Sequence, residues 1–209
     1  MVDVTPSNCV PMFMYTSVLG LHALADAVKG LRTDEEGFLD NFIMYLNLHR
    51  GVRAVTQQFW DVLKQSRLSP ALNSAEVAMG AANSNNQDRA SSVASLLYRL
   101  LDHSDMGIDS KTACRDAVAH LQKVYETQPQ GEGSCEEKLG GSDLIWAWPV
   151  LLSAAFTELL VKRQSEALVI LCHYAVLLHE RRGVWLVGNA GSYWRRWLEL
   201  PYEVLEEPA

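Results

Sequence analysis

Apolar residues recur at the three- and four-residue spacing of a helix face through almost the whole chain, and no alternating run bounded by hairpin turns argues for a strand. The pattern predicts an all-α protein, an irregular multi-helix bundle. A first helix is expected from about Asn8 to Val28, stopped by Gly30. Thr33 and Glu36 have the spacing of a capping box for a long second segment, "DEEGFLDNFIMYLNLHRGVRAVTQQFWDVLKQS", with a bend expected at Gly51 and Pro70 beyond its end. "GAANSNNQDR" reads as a loop, and "ASSVASLLYRLLDH" after it repeats apolar residues on one face. Asp109 and Ser110 are placed to cap "KTACRDAVAHLQKVYET". The Gly-, Glu- and Ser-rich stretch at 128–142 reads as a mobile loop, the run from Trp146 to Leu178 as two buried helices, and Gly183 as a break before a Trp-rich end.

With 209 residues, of which 48% are apolar, a single domain over 1–209 with a sizeable core is expected. The net charge of -7 argues against a surface that tracks phosphates, because that needs clustered Lys and Arg; no direct nucleic-acid binding is expected. The apolar stretch from Trp146 onward is divided by Glu158, Lys162, Arg163 and Glu166 into pieces too short to span a bilayer, so no membrane association is expected. The N-terminus lacks the basic region of a signal peptide, and Cys9, Cys114, Cys135 and Cys172 form neither a zinc pattern nor a disulfide framework. A cytoplasmic or nuclear location with reduced thiols follows as the expectation.

The residues that look most like chemistry lie in "LCHYAVLLHE". Neighbours on a helix point about 100° apart, so Cys172 and His173 do not face one another as a nucleophile and its base must, and Cys172 reads as a packing thiol. His173 and His179, six positions apart, diverge on a helix, so no metal site is expected. Arg50 and Arg53 at i, i+3 could both reach one carboxylate or phosphate, but pairing with acidic neighbours is the commoner use of such a pair. Trp146, Trp148, Trp185, Trp194 and Trp197, with Met12, Met14 and Met44, have the bulk and adaptability to line an apolar cavity, or simply to fill a core. No Gly-rich phosphate loop and no Gly-x-Ser-x-Gly elbow is present, and no cofactor is expected.

Two stretches carry a family likeness. "NCVPMFMYTSVLGLHALADA" followed by "FLDNFIMYLNLHRGVRAVTQQFWDVLKQSRLSP", and later "ALVILCHYAVLLHERRGVWLVGNAGSYWRRWLEL", resemble the effector region of fungal zinc-cluster transcription factors of the sterol-uptake-control type. The likeness is weakest between about Ala71 and Gly141. It implies an all-α effector domain with a hydrophobic pocket, which in the sterol-sensing members binds a sterol. His173, Tyr174, Trp185 and Gly188 fall in the matching helix and turn. The ligand-binding set expected on this basis is Tyr15, Leu19, Arg50, Trp148, Cys172, His173, Tyr174, Trp185 and Gly188. The family's Cys-rich cluster and basic region are not in this sequence, and Asn189 replaces a second aromatic in the turn.

Two functions are compatible with such a domain. One is a regulatory protein that senses a hydrophobic metabolite of sterol or secondary metabolism and pairs with a full-length transcription factor or with a second copy of itself, through an exposed apolar face. The other is a cofactor-free cyclase or isomerase of a terpenoid or polyketide, in which a pocket that holds a reactive conformer supplies most of the rate and His173, Arg50 and Trp185 polarise the substrate.

Overall fold

The computed structural model describes residues 4–30, 37–80, 87–127 and 144–180, and within them the chain is helical with no strand. Eight α-helices are described: α1 (Cys9–Gly30), α2 (Gly37–Lys64), α3 (Ser69–Gly80), α4 (Gln87–His103), α5 (Ile108–Glu126), α6 (Trp148–Leu151), α7 (Ala154–Val161) and α8 (Ser165–Glu180), with a 3₁₀ turn at Leu144–Trp146 leading into α6. The all-α multi-helix bundle is what the apolar spacing predicts. The capping box at Thr33 and Glu36, the loop at 128–142 and the break at Gly183 lie outside the described residues.

Local chemistry explains where the helices stop; Pro70 lies beyond the end of α2 as expected, and the structure differs from the sequence expectation in three places. The bend in the 28-residue α2 falls at Phe59 (φ -124°, ψ 24°), not at Gly51. It sits among the buried residues of the smaller apolar cluster, Val55, Phe59 and Leu63, while Gly51 keeps helical geometry. Pro70 opens α3 from within its first turn, where its missing N–H has no helical partner to lose. Asp109 and Ser110 fall inside α5, whose N-cap is Gly107 in extended conformation with no side-chain cap. The apolar run from Trp146 divides into three helices, because Pro149 starts α6, Ser153 caps α7 by accepting from the Phe156 N–H at 3.2 Å, and the chain turns left-handed at Arg163 (φ 54°).

The turn at Arg163 is a Schellman closure: the Gln164 N–H donates to the Leu159 carbonyl at 2.9 Å and the Arg163 N–H to Leu160 at 2.9 Å, satisfying two carbonyls that α7 leaves free. It redirects the chain so that α8 joins the centre of the molecule. Ala167, Ile170, Leu171, Tyr174, Leu177 and Leu178 of α8 are buried there, and Cys172 and His173 lie beside that stripe, half-buried.

Two apolar clusters form. The larger joins Phe42, Tyr45 and Leu46 of α2 to Leu97 and Leu101 of α4, Val118 and Leu121 of α5, Trp148 of α6, Phe156 and Leu160 of α7, and α8. Trp148 stacks on Tyr174 with ring centroids 4.4 Å apart, and each polar tip is answered: Trp148 Nε1–H donates to the Ala117 carbonyl at 3.1 Å and the Tyr174 hydroxyl to Ile145 at 3.1 Å. The smaller cluster holds Cys9, Val55, Phe59, Leu63 and Leu72, with Phe13 and Trp60 against it. Between the two, α2 is a shared wall.

No single described helix is long and apolar enough to cross a membrane; the segments Leu144–Leu151 and Ala154–Val161 have the length and composition together, but they are bent by 85°. Trp148, Pro149, Phe156 and Leu160 in that pair are buried in the bundle.

Candidate functional site

At the seam between the two clusters lies a cavity of about 370 Å³, within the range of small-molecule pockets. Its walls follow from helix periodicity. Phe13, Ser17 and Leu21 share one face of α1 at spacings of four, and His49, Val52, Thr56 and Trp60 share one face of α2 at spacings of three and four. Leu72 of α3 closes one side, and Leu144, Trp146, Ala147, Val150 and Leu151 close the other.

The wall carrying α6 is pinned by Arg53. One terminal nitrogen of its guanidinium, Nη1, donates to the carbonyls of Leu151 at 2.7 Å and Leu152 at 2.8 Å. These are orphan carbonyls at the end of a four-residue helix, so a cation there satisfies both hydrogen bonding and the helix dipole. Arg53 therefore holds α6 against α2 and keeps the cavity framed.

The lining is mostly aliphatic and aromatic, and among the described residues no side chain that carries a full charge at neutral pH lies on it. Its polar members are few. The Thr56 hydroxyl is already used, donating to the Arg53 carbonyl at 2.9 Å. His49 is 5% exposed, and burial pushes its imidazole down to about 4, so the ring is neutral at physiological pH. Its Nδ1 is buried with no hydrogen-bond partner. The ring leans on Tyr45, centroids 4.4 Å apart, and on α1 at Gly20, where a β-carbon would come within 2.0 Å of the imidazole Cε1. Gly20 is the residue that allows α1 to approach the histidine so closely. Burial also pushes the Tyr45 phenol well above its ordinary range, opposed in part by the Tyr174 hydroxyl beside it.

The expected ligand-binding residues are placed elsewhere. Tyr15 (66% exposed) and Leu19 are on the face of α1 turned away from Phe13, Ser17 and Leu21. Arg50 is exposed and donates to Asn47 at 3.4 Å, while the half-buried Arg53 donates to the backbone of Leu151 and Leu152, so the two guanidinium groups have separate partners. Trp148 and Tyr174 come together, but as the stacked centre of the large core. Cys172 and His173 belong to α8, and neither lines the cavity. Desolvation raises the Cys172 thiol to about 12 and lowers the His173 imidazole, which leaves no thiolate for nucleophilic chemistry and no imidazolium. Trp185 and Gly188 lie outside the described residues.

Met14 and Met44 are exposed, and among the described aromatics and methionines considered for a cavity it is Trp146 that lines this one; Trp185, Trp194 and Trp197 lie outside the described residues. Among the described residues no group of three or more His, Cys, Asp or Glu is arranged to hold a metal ion. His49 and Gly20 were not legible as a pair. The available signal was the shared face of His49, Val52, Thr56 and Trp60, which periodicity gives but cannot distinguish from ordinary core. Compared with family models, with curated proteins and with solved structures, the chain has no match.

Proposed function

We propose that this protein is a regulatory, ligand-sensing effector that binds a hydrophobic metabolite, of the sterol, terpenoid or polyketide kind, and passes the bound state to a protein partner. The observation that carries this reading is the apolar cavity of about 370 Å³ at the seam of the two clusters. Its walls come from four separate elements, α1, α2, α3 and the 144–151 segment. A ligand that bridges them stabilises one relative arrangement of the helices, which is how binding energy becomes a change in population. The sequence resemblance to zinc-cluster effector regions supports the regulatory class, and the acidic balance supports action through a partner and not on nucleic acid directly.

The outer face of α1 supports the second half of the proposal. Met14, Tyr15 and Val18 follow i, i+1, i+4 spacing and stay exposed while the opposite face lines the cavity. One helix thus presents an apolar strip to a partner, a full-length zinc-cluster factor or a second copy, and its other side to the ligand. The cyclase or isomerase alternative receives less support, since His173 and Arg50, two of its three polarising groups, stand off the cavity, the third, Trp185, lying outside the described residues.

Native mass spectrometry of the chain purified from its own source, followed by organic extraction, tests the proposal. A hydrophobic molecule released in stoichiometric amount, whose removal changes association with the partner, is the expected result. Conversion of the extracted molecule to a product on incubation would move the assignment to the enzyme, and a chain that carries no such molecule would end the sensing role.

A further inference from the structure

We propose that His49 is the polar anchor of the cavity, and that the ligand is an uncharged, mostly hydrocarbon molecule with one oxygen acceptor, a carbonyl or hydroxyl, positioned to receive a hydrogen bond from His49 Nε2. The inference rests on the cavity being a binding site and adds which chemistry it selects.

Three observations carry it. His49 lines the cavity and is more than nine-tenths buried, an uncommon place for an imidazole that makes no internal hydrogen bond. Its Nδ1 is fully buried without a partner, while Nε2 is the ring nitrogen left open to the cavity. A buried N–H without an acceptor costs more than an under-satisfied acceptor, so the proton belongs on Nε2, where it points a donor at the ligand. Gly20 leaves the space that this pose needs, since any side chain there would displace the ring.

The selection against charge comes from the same wall. Among the described residues no cation lines the cavity, and Arg53 is held at the α6 wall by the bonds of its Nη1 to the Leu151 and Leu152 carbonyls. A carboxylate would therefore be desolvated without compensation. An oxygen acceptor on an otherwise apolar body fits, because it satisfies His49, the most deeply buried donor of a wall whose other donor-bearing side chains are Ser17, Thr56, Trp60 and Trp146, and leaves the remaining contacts to apolar surface such as Phe13 and Val52.

Isothermal titration of the full chain with 2-acetylnaphthalene and with 2-isopropenylnaphthalene, in which a methylene replaces the ketone oxygen, isolates the anchor. The wild type is expected to bind the ketone about tenfold more tightly. His49→Leu should bind both alike while keeping its affinity for the hydrocarbon. Should that variant not fold, the infrared carbonyl band of ¹³C-labelled ketone on the wild type decides, and a shift to lower frequency on binding is the expected result. Equal binding of the two probes with an unshifted carbonyl overturns the anchor and leaves the pocket standing. Binding of neither overturns the pocket itself, and tighter binding of 2-naphthoate than of the ketone overturns the selection for an uncharged ligand.

Discussion

Two glycines show how far apart the same residue type can stand. A β-carbon at Gly20 would overlap the His49 ring, whereas one at Gly51 meets only Thr16 Cγ2, at an ordinary 3.9 Å. Gly20→Ala is therefore expected to destabilise by about 1–3 kcal/mol through overpacking. Gly51→Ala, in the interior of α2, is expected to stabilise by about 0.5–1 kcal/mol by lowering the entropy of the unfolded chain. Urea unfolding of both variants and of Gly20→Ala/His49→Ala checks this; a double mutant no less damaged than the sum of its parts would show that the clash is not with His49. The same histidine ties stability to pH. Its folded pKa, about 4, lies below the ordinary value of 6.5, so below that value the unfolded chain holds the extra proton and is favoured. His120 and His173 are lowered in the same direction, chiefly by burial. Stability is expected to be full above about pH 6.5 and to fall toward pH 4, with His49 contributing about 3 kcal/mol over that window. Urea midpoints measured at steps between pH 7.5 and 4.5 read the slope, and His49→Gln should flatten it.

At the scale of elements, the breaks decide the architecture. The run from Trp146 to Leu178 is apolar enough to read as two helices, and the structure divides it by Pro149, the Ser153 cap and the left-handed Arg163. A left-handed conformation costs a residue with a β-carbon about 1–2 kcal/mol relative to glycine. The Arg163 side chain offsets little of it, because its contact with Asp40 is long, at 3.8 Å, and exposed. Arg163→Gly is expected to raise stability by about 1 kcal/mol, seen as a higher thermal midpoint with an unchanged helical signal; a lowered midpoint would mean that the Asp40 pair matters more than the backbone. Helices α1, α2, α4, α5 and α8 were legible in the sequence because each carries apolar residues at helical spacing, whereas α3 was not read as a helix and α6 and α7 were not told apart. Bends and caps were not legible: α2 bends at Phe59, within the smaller cluster, and Gly107 rather than Asp109 precedes α5 with no side-chain cap to mark the start.

For the molecule as a whole, the decisive feature is that two apolar clusters form with a space between them. Filling that space tests whether it is a site or a packing fault. Val150→Phe places a larger side chain on the wall formed by α6 and is expected to abolish binding of 2-acetylnaphthalene while leaving stability equal or up to about 1 kcal/mol higher. Undiminished binding in this variant, followed by titration calorimetry, would place the ligand elsewhere. The sequence by itself determined that the chain is helical, that α1, α2, α4, α5 and α8 exist, and that Trp148 and Tyr174 are large aromatics available to a core, because periodicity and burial of apolar area act along the chain. It did not determine which face of α1 meets which face of α2, and so Tyr15 and Leu19 were expected inside where Phe13, Ser17 and Leu21 are found. Only the tertiary structure brought Gly20 against His49 and Arg53 onto the carbonyls of α6, since both contacts join residues whose separation in sequence carries no local signal.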